Sequence, residues 1–110
     1  MFKKRIKVKN LVNLLFLSKI LINIEHFVFY GTLLGLTRNN NIIKNDDDID
    51  FLVDLKNKNK VLKLMKKYNS FKLNKKISNK FFLKFQKKYG NLKTDVDFYF
   101  FINSKNKDYI

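Results

Sequence analysis

The chain has no cysteine, proline, tryptophan or alanine, only three glycines, and a single histidine, His26. Without cysteine there are no disulfides and no thiolate zinc sites, and one imidazole cannot build a histidine metal cluster. With no proline and with glycine only at Gly31, Gly35 and Gly90, no Pro/Gly/Ser linker divides the 110 residues. No repeat of fixed period is present either, so the length fits one small domain spanning 1–110. A hydrophobic fraction of 45% argues for a folded chain rather than a disordered one. Any chemistry must therefore come from carboxylates, lysines, hydroxyls and backbone amides.

Acidic residues are scarce: nine against 24 basic ones, for a net charge of +15. Only Arg5 and Arg38 are arginine, and the lysines are spread along the chain rather than gathered in one stripe. Lys, Asn, Ile and Phe are the residues of AT-rich codons, so the basic charge reads as a solvated surface and not as a specific nucleic-acid face. A field this positive still attracts anionic substrates such as nucleotides. Against that background, Asp46, Asp47, Asp48, Asp50 and Asp54 fall together. Carboxylates this close repel one another at a cost in stability, which a bound divalent cation would offset.

The hydrophobic pattern predicts a mixed α/β or α+β sheet covered by helices. A basic lead at 1–9 precedes an apolar helix over 10–23, with Leu11, Leu14, Leu15 and Phe16 on a broad apolar face. Asn13, Ser18 and Lys19 interrupt it and no small-residue cleavage site follows, so it reads as a core helix and not a signal peptide. It can touch a membrane but is not expected to span one. Strands are expected at 26–30, 48–55, 71–75, 80–87 and 92–102, a short helix after Gly31, and a helix at 57–69 carrying Val61, Leu64, Met65 and Tyr68. Residues 89–91 form the turn between the last two strands.

Three segments carry chemistry. In a strand, Asp48 and Asp50 project on one side, roughly 6–7 Å apart, with Ile49 on the other. An Asp-x-Asp pair taken alone occurs often by chance, as in a solvated loop acid cluster. A Ca²⁺ loop of the EF-hand kind is excluded by the missing glycine and the missing late glutamate. A second alternating stretch, Thr94-Asp95-Val96-Asp97-Phe98-Tyr99, puts Asp95 and Asp97 on one face. If the two strands are neighbours, Asp97 supplies a third carboxylate. The third segment is Tyr30-Gly31-Thr32-Leu33-Leu34-Gly35. A strand that passes through glycine into a helix exposes backbone N–H groups that favour phosphate, with the Thr32 hydroxyl adjacent and Arg38 able to fork onto a phosphate oxygen.

Together, residues 30–38, 42–51 and 95–98 resemble the LicD/fukutin-type family, whose pattern is Gly-Thr-Leu-Leu-Gly, an arginine three residues on, an Asp-Asp-Asp-Ile-Asp run and a later hydrophobic-Asp-hydrophobic strand. The resemblance covers about residues 10–102. It implies a nucleotidyltransferase-like mixed sheet flanked by helices, in minimal or truncated form. It also implies a transferase that moves a phosphocholine- or ribitol-phosphate-like group from a CDP-activated donor to a sugar or glycan acceptor: lipopolysaccharide, teichoic acid or glycoprotein. By matching position, Asp48, Asp50 and Asp97 are the catalytic carboxylates, and they hold Mg²⁺ or Mn²⁺ with a further contact from Asp46. Gly31, Thr32 and Arg38 bind the donor's phosphates. A cytoplasmic location is expected. Lys44-Asn45 stands where the family has Pro-Trp, and the chain is shorter than family members, as if it lacked a C-terminal, acceptor-binding portion. The alternative is an inactive or truncated remnant that binds nucleotides or a partner.

The clustered acids predict a cation-dependent stability. Mg²⁺ or Mn²⁺ at tenfold above its Kd should add about 1.4 kcal/mol, several degrees in Tm. The double substitution Asp48→Asn with Asp50→Asn should abolish this response and leave the metal-free melting temperature unchanged or higher. Thermal melts with and without millimolar Mg²⁺ check both outcomes.

Overall fold

The computed structural model describes residues 2–28 and 48–103, with the backbone alone at 2–7 and 48. Helix α1 (Phe2–Ile20) leads into strand β1 (His26–Val28). Strand β2 (Asp48–Asp54) runs through a 3-10 turn (Leu55–Asn57) into helix α2 (Lys58–Lys66), and strands β3 (Lys72–Leu73), β4 (Phe82–Tyr89) and β5 (Leu92–Phe101) follow. The strands make one five-stranded sheet in the order β1-β2-β5-β4-β3. β2 and β5 run parallel, and every other pair is antiparallel. The class is therefore α+β with a mixed sheet, one of the two that the pattern allows.

The sheet has two faces because side chains alternate along each strand. One face is the core. Ile49, Phe51 and Val53 of β2, Val96, Phe98 and Phe100 of β5, and Leu83 and Phe85 of β4 are all buried there, together with Leu14, Leu17 and Leu21 from the first helix and the turn after it and Val61 and Met65 from α2. Phe98 stacks on Phe51 at 5.4 Å between ring centroids and meets Phe85 edge-on at 5.8 Å. This aromatic ladder ties β2, β5 and β4 together across the middle of the sheet.

α1 starts earlier than the apolar run suggests. The basic lead is helical from Phe2, and the helix stops at Ile20 rather than at 23. Lysine and arginine are good helix formers and neither glycine nor proline interrupts the lead, so nothing prevents the helix from extending toward the N-terminus. The chain then turns through Leu21, whose N–H bonds back to Leu17 O (2.9 Å). The inward side of α1 follows helical spacing through Asn10, Asn13, Leu14 and Leu17, while Val8, Val12 and Leu15 face outward. The helix is apolar on both sides and interrupted by buried amides. Among the described residues no helix is long and apolar enough to cross a membrane.

Asn13 explains how α1 is fixed. Its amide donates to Thr94 Oγ1 (2.8 Å) and its carbonyl accepts from the Tyr89 hydroxyl (2.5 Å), while the Thr94 hydroxyl donates to Lys87 O (3.0 Å). A buried amide satisfied on both ends fixes the helix against the β4–β5 hairpin more specifically than apolar contact alone.

Other boundaries shift for local reasons. The strand expected at 71–75 shortens to β3, and the one expected at 80–87 begins at Phe82. Residues just before it form a turn in which Asn79 Oδ1 accepts from Phe81 N (2.9 Å) and Asn79 N donates to Phe82 O (2.8 Å). β4 continues to Tyr89 because Gly90-Asn91 makes a two-residue hairpin loop, and Gly90 takes the left-handed φ of +64° that such loops require. The strand expected through 55 ends at Asp54. The Asp54 side chain accepts from Lys56 N (3.0 Å) and caps the 3-10 turn that starts at Leu55. α2 is shorter than the expected 57–69 and buries Val61 and Met65.

The Asn13 network makes a stability prediction. Asn13→Ala removes the acceptor of the Tyr89 hydroxyl and the amide donor to Thr94 Oγ1, while Thr94 keeps its bond to Lys87 O, and should cost about 1–3 kcal/mol. Val12→Ala, one residue away on the outward side, should stay within about 0.5 kcal/mol. Urea titrations with unchanged slope would read both values.

Candidate functional site

The face opposite the core carries the polar residues of the same strands. Parallel pairing of β2 with β5 and antiparallel pairing of β5 with β4 align these residues in transverse rows. Asp48 pairs with Asp95, and Asp95 with Gln86. Asp50 pairs with Asp97, and Asp97 with Lys84. Leu52 pairs with Tyr99, and Tyr99 with Phe82. The apolar row closes one end of this face, with the Phe82 and Tyr99 rings 4.8 Å apart.

The middle row is the most enclosed. Asp50 is 8% exposed and Asp97 3%. Two carboxylates brought side by side out of water repel, and each also loses hydration. Lys84 offsets this: its Nζ lies 2.9 Å from Asp97 Oδ1 and 3.8 Å from Asp95 Oδ2. In the neighbouring row, Gln86 Nε2 donates to Asp95 Oδ1 (2.9 Å). Each strand delivers its polar residue at this level for one reason. An apolar residue on either side, Ile49 and Phe51, Val96 and Phe98, Leu83 and Phe85, is drawn into the core and turns the residue between them outward.

The structure thus brings Asp50 and Asp97 together on adjacent strands and one face, as expected from the alternation. Asp48 occupies the first position of β2, opposite Asp95. The candidates Gly31, Thr32, Arg38 and Asp46 lie outside the described residues, as does the short helix expected after Gly31. Lys84 and Gln86 were not singled out from the sequence. Lys84 is one of many lysines, and only its alternation with Leu83 and Phe85 within β4 hints at a position on the polar face.

The donors at this site are oxygens, and their chemistry suits Mg²⁺ or Mn²⁺. Mg²⁺ is commonly held by one or two carboxylates plus substrate phosphates, a demand that Asp50 and Asp97 meet. Among the described residues no group of three His, Cys, Asp or Glu side chains is placed to hold a metal. A metal at this face would therefore complete its shell with substrate oxygens, water or acids from outside the described residues.

Residues 23–109 match the family model described as LicD/FKTN/FKRP, nucleotidyltransferase domain. The matched span starts after α1 and takes in every strand of the sheet. No curated protein and no solved structure matches the chain.

The two acids of β5 are expected to differ. Asp97→Asn removes a carboxylate from the enclosed row and should abolish stabilisation by Mn²⁺. Asp95→Asn alters the more open row and removes the second partner of Lys84, and should weaken Mn²⁺ binding by about 10–100-fold without abolishing it, as for residues that support a metal site without ligating it. Thermal shift against Mn²⁺ concentration distinguishes the two.

Proposed function

The chain belongs to the LicD/FKTN/FKRP nucleotidyltransferase family, and we propose that it is a divalent-metal-dependent transferase moving a phospho-alcohol group from a CDP-activated donor to a sugar or glycan hydroxyl. Family membership suggests a transferase; the donor, the metal and the acceptor are this proposal's own. The observation that carries it is the in-register pairing of Asp50 with Asp97 on parallel strands, both carboxylates enclosed on the face opposite the core.

In this reading Asp50 and Asp97, joined by Asp48 and Asp46, hold Mg²⁺ or Mn²⁺. A metal held there would neutralise the donor's pyrophosphate and the charge that develops during transfer. Gly31 and Thr32 receive the phosphate oxygens through backbone N–H groups and a hydroxyl, and Arg38 forks onto them. The acceptor hydroxyl forms a new O–P bond to the phosphorus that bears the alcohol. The P–O bond to the cytidine phosphate breaks, and CMP leaves with that electron pair. Asp97 takes the hydroxyl proton. The net charge of +15 raises the local concentration of the anionic donor.

Incubation with CDP-choline or CDP-ribitol, Mg²⁺ and a panel of sugar acceptors should release CMP. EDTA should stop the release, and Asp50→Asn should slow it by about a hundredfold or more. Undiminished CMP release from Asp50→Asn, or release that ignores EDTA, would refute the proposal.

A further inference from the structure

Lys84 occupies the position where a cation is needed. It stands in the same transverse row as Asp50 and Asp97, on the strand next to β5. Its side chain is only 13% exposed, and its ammonium sits 2.9 Å from an Asp97 carboxylate whose side chain is 4% exposed. We propose that Lys84 is the resident counter-ion of the acidic face, and that an arriving divalent cation must displace it from Asp97, so that Lys84 sets the metal affinity of the site. The proposal rests on the reading of Asp50 and Asp97 as metal ligands.

The argument is one of charge and reach. A divalent cation binds carboxylate oxygen at about 2.0–2.1 Å. An ammonium 2.9 Å from the same carboxylate would then lie within a few ångströms of it, in a poorly hydrated place where repulsion is strong. The lysine side chain is flexible and carries a compact charge. A second carboxylate is already near: Asp95 Oδ2 lies 3.8 Å from Nζ, held by Gln86. Lys84 can therefore release Asp97 and stay paired with Asp95, one row along. The arrangement keeps Asp97 paired and the enclosed row partly neutralised before metal arrives, and disfavours metal that comes without an anionic substrate. A donor pyrophosphate would give the displaced ammonium a further partner, so donor and metal would each promote binding of the other.

The test is Mn²⁺ affinity of the metal-free protein by titration calorimetry or Mn²⁺ electron paramagnetic resonance. Lys84→Met should bind Mn²⁺ roughly tenfold more tightly or better and melt at a lower temperature without metal. Lys84→Arg, which keeps the charge, should stay near the wild-type affinity. Lys63→Met removes an exposed lysine from α2, and should change affinity by less than about twofold because it alters net charge far from the acids. A Lys84→Met protein that binds Mn²⁺ no more tightly than wild type, while wild type binds, overturns the role of Lys84 alone. Absence of binding in both proteins overturns the metal reading of Asp50 and Asp97 together with it. If Lys84→Met does not fold without metal, recovery of its circular dichroism in millimolar Mn²⁺ supports the proposal, and failure to recover overturns it.

Discussion

The rest of the structure depends on the register between β2 and β5. Ile49 lies opposite Val96, Asp50 opposite Asp97, and Phe51 opposite Phe98. Slipping one strand by a single residue would turn its acids into the core and its aromatics to the polar face, because the side-chain period is two. Slipping by two would keep the faces but separate Asp50 from Asp97. The stacking of Phe51 on Phe98, with Phe85 against the far side of Phe98, opposes both slips. The packing that stabilises the core thus also aligns the carboxylates. Strands from distant parts of the chain meet there, and their parallel course requires the crossover through the 3-10 turn, α2, β3 and β4.

Burying acids carries a penalty that the fold offsets with specific partners. Asp97 has Lys84, Asp95 has Gln86, and Asp54 caps the turn that leads into α2. The buried Asn13 follows the same principle on the opposite side, satisfied by Thr94 and Tyr89. In each case a polar group withdrawn from water gains a charged or hydrogen-bonding partner. The polar contacts on both faces converge on the β4–β5 hairpin, which joins the acidic face to the helix that covers the core.

The lysine-rich composition also acquires structural uses. Lys87 extends over Phe71 and Tyr89, 5.0 and 4.9 Å from their ring centroids, and Lys9 approaches Tyr89 at 4.9 Å. Long apolar stems cover aromatic surface while the ammonium groups remain near water, and the ring faces attract them. Lys84 also lies over a ring, 6.0 Å from the Phe82 centroid, but its ammonium is enclosed and is ion-paired with a carboxylate.

Much of this was legible in the sequence. Alternation identified which residues of β2 and β5 face the core, since apolar and acidic residues cannot exchange faces without loss of burial energy, and that fixed Asp50 and Asp97 on the polar side. The motif blocks pointed to the family that residues 23–109 match. Helix and strand ends were less legible: α1 extends through the basic lead, and β4 is displaced by the Asn79 turn. Propensity distinguishes poorly between a helix end and a lead of good helix formers, and side-chain capping depends on geometry. Only the tertiary structure decided that β2 and β5 pair in parallel with Asp50 level with Asp97, and that β4 brings Lys84 to the same row. A one-dimensional pattern states which face a residue takes but not which strand lies beside it or at what level. Strand order and register are set by long-range packing among residues tens of positions apart, and among many lysines only that packing distinguishes the one that meets Asp97.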